Sequence, residues 1–319
     1  MMCNFRLIPP SLLSAGPACL GALLAFLFTT ALQAQANAPA NFAGHWEGVI
    51  LVRPGETEVD FSVDVAPGPD GTYTAAITVP IHNIQEKPLE EVFQDGDTVS
   101  MAMRDGASLS FFRGTLASGG DRVAGDLTES PQVNRFVMER REKKAAAAPA
   151  EMIRLGEDLA ALKQKFNADM GPRLVMLLSP SCRECLMSAR LINRYVLERI
   201  ADERLHVYVV WVPISPKATY ETAKQASIHL VDPRVTHFSM DTISLAQAFK
   251  EPLGFTKTPA WDVFLLYPAG QKWGQGVPKP ELFMHRSEEL PRASWLNGEK
   301  LADEVEKLLG ADSVAGTRP

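Results

Sequence analysis

Cysteine is scarce in this chain of 319 residues: only Cys3, Cys19, Cys182 and Cys185 are present. That scarcity excludes a small disulfide-stapled scaffold and leaves a hydrophobic core to hold the fold. An excess of one charge is also missing, with 32 basic residues set against 38 acidic ones. Both signs are mixed along the chain and no basic stripe tracks across it, which excludes nucleic acid as a partner. No internal repeat is present, so a repeat array is excluded as well. A long apolar run occurs once, from Leu20 to Leu32 near the start.

That run sits in a recognisable order. Arg6 is the only charged side chain ahead of it, and Ala34-Gln35-Ala36 follows with small residues at the two positions a signal peptidase reads. Residues 1–36 are therefore expected to be a secretory signal, which makes the protein exported and periplasmic. Retention of the segment as a membrane anchor is the alternative, but Pro17 interrupts its start and no basic stop-transfer cluster follows Ala36. A lipoprotein site at Cys19 fits less well, because Gly16 stands where leucine is usual. Export removes Cys3 and Cys19, and only Cys182 and Cys185 remain. Two residues separate them, a loop too short for a staple to restrain the unfolded chain much, so the spacing points to chemistry.

Roughly 280 residues remain after the signal, enough for two domains. Glu142-Lys143-Lys144, four alanines and Pro149-Ala150 have no apolar periodicity and read as a linker over 142–150, partly helical at most. Residues 41–141 before it alternate apolar and polar side chains: Val59, Phe61, Val63 and Val65, then Tyr73, Ala75, Ile77 and Val79. Turn signals such as Asp95-Gly96-Asp97 and Asp105-Gly106 punctuate them, with Leu109 and Phe111 following the second. Roughly eight short strands predict an all-β antiparallel barrel or sandwich. Gly44-His45-Trp46 resembles the Gly-x-Trp opening of lipocalin-like, or calycin-like, barrels. That resemblance implies an arginine packed on Trp46, with Arg135, Arg140 and Arg141 as candidates. It also allows an apolar ligand inside the barrel, although Trp46, Phe61 and Phe111 filling a small core is the simpler expectation.

Residues 151–310 change pattern. Leu155, Leu159, Leu162 and Phe166 lie at helical spacing, and Leu174 to Leu178 reads as a strand buried on both faces. Ser179-Pro180-Ser181 turns into Cys182-Arg183-Glu184-Cys185. Cys185, Ala189, Ile192, Val196 and Ile200 then fall on one helix face, and a second buried strand spans Val207 to Val212. Thr258-Pro259 precedes the apolar run Val263 to Tyr267. This order resembles the thioredoxin superfamily, and the resemblance implies a thioredoxin-like α/β domain. It further implies that Cys182 is the nucleophile, Cys185 the resolving thiol, and Pro259 a cis proline facing them. Thr258 and Trp261 would flank a substrate groove. A thiolate at the start of a helix is stabilised by unsatisfied N–H groups.

The pattern also departs from that family. Ser181 stands where many thioredoxins have tryptophan, and Met176 where many bury an acid. The segment from Pro213 to Met240 is longer than the fold requires and carries His229, Asp232, Arg234 and His237. The expected function is an exported thiol–disulfide oxidoreductase acting on protein thiols or disulfides, with no cofactor. One alternative is copper or zinc binding, in which His237 or His285 joins the cysteines. The other is a non-catalytic binding protein that uses the barrel.

Overall fold

Period-two alternation drives the first hundred described residues into strands. The computed structural model describes residues 41–68, 72–145 and 147–315; the expected signal segment, 1–36, lies outside them. Nine strands follow one another: β1 (Gly44–Arg53), β2 (Thr57–Pro67), β3 (Tyr73–Val79), β4 (Ile84–Pro88), β5 (Glu90–Asp95), β6 (Thr98–Asp105), β7 (Ser108–Leu116), β8 (Arg122–Glu129) and β9 (Gln132–Arg140). They form one antiparallel sheet in the order β4-β3-β2-β1-β9-β8-β7-β6-β5. Its two edge strands are consecutive in the chain. The Leu89 N–H between them donates to the Ala75 carbonyl next to β4, at 2.8 Å. Glu90, the next residue, pairs with Ala102 on β6. One run of chain thus ties both ends together, and the sheet is nearly closed as a barrel.

Aromatic rings fill its interior. Trp46 and Phe136 are fully buried. Phe112 lies 5.6 Å from Phe61 and 5.3 Å from Phe136, ring centre to ring centre. The expectation that Phe111 points inward is corrected: Phe112 is buried and Phe111 is half-buried. Ser110, Phe112 and Leu116 share the inward phase of β7 with Gly114, and a one-residue shift exchanges the two faces. Among the candidate arginines, Arg140 packs on the tryptophan, its guanidinium carbon 4.4 Å from the Trp46 ring centre. Its Nε–H donates to the Gly120 carbonyl at 2.8 Å.

Beyond Arg140 the described residues run without regular structure to Met152, so among the described residues of the expected linker there is no helix. The segment is nevertheless tied down: Lys143 Nζ donates to Asp64 at 2.8 Å and the Ala150 N–H to Ser227 Oγ at 2.8 Å. There follow β10 (Met152–Leu155), α1 (Ala160–Ala168), β11 (Arg173–Leu178), α2 (Arg183–Ile192), β12 (His206–Trp211), α3 (Tyr220–Ala226), β13 (Val235–Met240), α4 (Ser244–Lys250), β14 (Val263–Tyr267), β15 (Leu282–His285) and α5 (Gly298–Ala315). The helical spacing read from Leu155 begins too early. Leu155 ends β10 and Leu159 turns the chain with φ of +57° before α1 starts. The apolar face of α2 continues through a π-helical turn, Asn193–Leu197.

These strands form a mixed six-stranded sheet, β10-β13-β12-β11-β14-β15. The first four are parallel, and β14 and β15 run antiparallel to their neighbours. The long segment from Pro213 to Met240 supplies α3 and places β13 between β10 and β12. All six residues of β11 are buried, because both faces of the sheet are covered. Leu174, Met176 and Leu178 pack on one side with residues of α2 and α5, Cys185 among them. Val175 and Leu177 pack on the other with Leu162, Phe166 and Phe249 from α1 and α4.

Both sheets belong to one compact unit. A buried polar cluster joins them. Glu58 of β2 is only 3 % exposed. It accepts from the Tyr195 hydroxyl at 2.6 Å and from Arg194, which also pairs with Asp60. Among the described residues no helix is long and apolar enough to cross a membrane.

Candidate functional site

The site starts where β11 ends. Ser179, Pro180 and Ser181 turn the chain, and the Ser181 hydroxyl lies 2.8 Å from that of Ser215 in the loop after β12. Cys182 is the N-cap of α2, with extended backbone geometry (φ −96°, ψ 119°). Its sulfur accepts the Cys185 N–H at 3.3 Å, satisfying one of the orphan donors of the first turn. Glu184 Oε2 is 3.4 Å from the same sulfur. Cys182 is half-buried; Cys185, one turn along, is fully buried, and its sulfur accepts the Ser179 N–H at 3.3 Å. Both are free thiols.

A third group faces the sulfurs. Asp262 immediately precedes β14 and is 4 % exposed. Its carboxylate and the two sulfurs all lie within 4.8 Å of one another. Its backbone is left-handed, with φ of +52°. Two hydrogen bonds hold it there: its N–H donates to the Leu177 carbonyl at 2.8 Å, and its carbonyl accepts the Arg286 N–H at 3.1 Å. Oδ1 has no hydrogen-bond partner. Burial pushes the carboxyl up to about 6. The Arg286 charge opposes that rise, as do the nearby Ser188 hydroxyl and Cys185 thiol, although neither makes a well-aligned hydrogen bond to Oδ1. Burial likewise drives the Cys185 thiol well above the usual cysteine range, with Cys182 and the Asp262 charge pushing the same way.

No protein-family model matches this chain. No curated protein matches it in sequence either.

The other predicted residues have contacts of their own. The Thr258–Pro259 bond is trans, which corrects the cis expectation; among the described residues the cis peptide is Ser130–Pro131. Thr258 is occupied with Glu289, whose carboxylate accepts its N–H at 3.2 Å and its hydroxyl at 3.1 Å. The Thr256 and Lys257 N–H groups converge on the same carboxylate. They hold Glu289 down at about 2 against the opposing effect of desolvation. Trp261 is half-buried and packs against both hydrophobic layers of the mixed sheet.

Neither histidine considered as a ligand joins the cysteines. The His237 ring accepts from Trp211 Nε1 at 3.2 Å and lies 3.0 Å from the Leu230 carbonyl. His285 is buried and engaged with Pro291, Ser294 and the Ser287 N–H. The barrel, by contrast, reaches the site's edge. The short 3-10 turn Pro80–His82 packs against α2. His82 is held below its ordinary value by burial and then by the charge of Arg183, the residue after Cys182. Arg286 donates to the Glu56 carbonyl and contacts Thr57 Oγ1 at 3.4 Å, linking the Asp262 neighbourhood to the β1–β2 turn.

Sequence reasoning missed Asp262. The available signal was its position: one acid between Trp261 and an unbroken apolar run, where the strand is buried from its first residue. Chemically, the arrangement offers one reachable sulfur, one buried sulfur, and a carboxylate beside the buried one. With a pKa near 6 that carboxylate is mostly ionised at pH 7 and can take a proton from the Cys185 thiol.

Proposed function

We propose that this protein is an exported thiol–disulfide oxidoreductase that exchanges disulfides with protein thiols through Cys182 and Cys185. The observation that carries the reading is the half-buried Cys182 sulfur at the N-cap of α2, with the buried Cys185 sulfur and Asp262 carboxylate within 4.8 Å. Support also comes from the strand order. Apart from the inserted β13, the mixed sheet runs β10-β12-β11-β14-β15, with β11 leading into the cysteine pair. That is the arrangement expected of a thioredoxin-like domain, with α1 and α4 on one face and α2 and α5 on the other.

In the reductive direction the Cys182 thiolate attacks one sulfur of a substrate disulfide and displaces the other as a thiolate. Cys185 then passes its proton to the Asp262 carboxylate and attacks Cys182 Sγ. The mixed disulfide breaks, the second substrate thiolate leaves, and a Cys182–Cys185 disulfide remains. The oxidative direction is the same sequence reversed. The barrel flanks α2 through the turn at Pro80–His82, so it forms part of the surface a protein substrate meets.

The test is trapping. With Cys185→Ser, a disulfide-bearing test protein should accumulate as a covalent adduct of Cys182, releasable by reductant. Cys182→Ser should abolish both the adduct and exchange. Unchanged exchange in both variants would overturn the assignment.

A further inference from the structure

We propose that the reduced chain binds one zinc ion through Cys182 Sγ, Cys185 Sγ and a carboxylate oxygen of Asp262. The three donors come from two elements, the first turn of α2 and the residue before β14, yet all lie within 4.8 Å of one another. An independent observation points the same way. Asp262 is 4 % exposed, and its Oδ1 has no hydrogen-bond partner. A buried carboxylate oxygen without a well-aligned donor is costly, and a cation removes that cost.

The donor set selects the ion. Two sulfurs and one carboxylate oxygen suit zinc, whereas copper(I) favours sulfur donors alone and calcium or magnesium favour oxygen. Three protein ligands leave a fourth tetrahedral position on the side of the half-buried Cys182, open to water or a further ligand. Tetrahedral zinc, about 2.3 Å from each sulfur and about 2.0 Å from oxygen, sets its donors roughly 3.5–3.8 Å apart, so a donor near the 4.8 Å bound must close in. The Cys182 side chain, at the surface end of the site, can make that adjustment. Binding exchanges one zinc ion for the two thiol protons. The two thiolates, the carboxylate and the ion then carry a net charge of −1, and the half-buried Arg286, whose N–H donates to the Asp262 carbonyl, offsets it.

This inference goes beyond disulfide exchange, because it requires only the dithiol state. Zinc would hold both thiols reduced and closed to exchange until it is removed.

The experiment is an anaerobic titration of the reduced full chain with zinc against a chromophoric chelator, repeated with cobalt(II) as the optical probe. One equivalent should bind, with a thiolate-to-cobalt charge-transfer band. Asp262→Asn should weaken binding about a hundredfold, at the upper end of what loss of a supporting group costs. Cys182→Ser, at a half-buried position, should abolish the band, and the oxidised chain should not bind. Circular dichroism of each variant checks that it is folded. Lack of stoichiometric binding, or binding indifferent to both substitutions, overturns the proposal. The two readings fail separately: a trapped Cys182 adduct without zinc binding sinks only this one, and zinc binding without an adduct sinks only exchange.

Discussion

Replacing Asp262 with asparagine should remove a pH-dependent cost that the folded protein carries at neutral pH. The carboxyl's ordinary value is 3.8, and burial raises it to about 6 in the folded chain. Between those values the native state holds a proton that the unfolded chain has released. Stability from this group is therefore fully present below 3.8 and is lost as pH rises through about 6. The gap corresponds to roughly 3 kcal/mol. The wild-type curve alone will not display it cleanly. His229 is pushed down to about 4, by burial first and then by the Arg190 charge. A histidine held neutral in this way makes stability rise with pH over much of the same interval, with opposite sign. The readout is thus a difference. Urea unfolding of the reduced wild type and of Asp262→Asn, measured from pH 3.5 to 8, isolates the Asp262 contribution because His229 is common to both. Wild-type stability relative to the variant should fall by about 3 kcal/mol across pH 4 to 7 and then level off. Parallel curves at every pH would refute the reasoning and return Asp262 to the solvent.

Two further outcomes test the frame that holds the site. Phe112→Ala should cost about 4 kcal/mol in denaturant unfolding by opening a cavity in the barrel, whereas Phe111→Ala should cost under about 2 kcal/mol, because only the first ring is fully inside; reversed values would mean the phase of β7 is wrong. Arg194→Met leaves the buried Glu58 and its neighbour Asp60 without their shared cation, and should destabilise the chain by about 3 kcal/mol in urea. A neutral result there would show that the two sheets do not depend on this cluster.

Much of this architecture could be read from residues alone, for identifiable reasons. The run from Leu174 to Leu178 is apolar at every position, a pattern that a half-exposed strand cannot carry, and β11 is indeed buried on both faces. Alternation in β2 and β3 gave the barrel strands directly. The cysteine pair was legible because it stands between that buried strand and a helical apolar stripe. What escaped depended on contacts distant in sequence. Phe111 and Phe112 are adjacent and equally apolar, so only partners such as Phe61 and Phe136 decide which ring turns inward. Asp262 reads locally as a solvated acid; it is buried because Leu177 and Arg286 fix its backbone beside Cys185. Thr258-Pro259 carried the pattern of a substrate-facing turn, but Glu289, far along the chain, gathers the N–H groups of residues 256–258 and sets that loop's course. His237 and His285 looked available for ligation only because their partners at Trp211, Leu230 and Pro291 are set by the fold.

The whole functional account turns on two sulfurs that can bond to one another. Equilibrating the chain in glutathione buffers of graded ratio, then alkylating the remaining thiols and weighing the intact protein, tests that directly. Cys182 and Cys185 should disappear together in a single two-electron transition. Thiols that stay reduced across the range, or that form separate glutathione adducts without ever pairing, would contradict it.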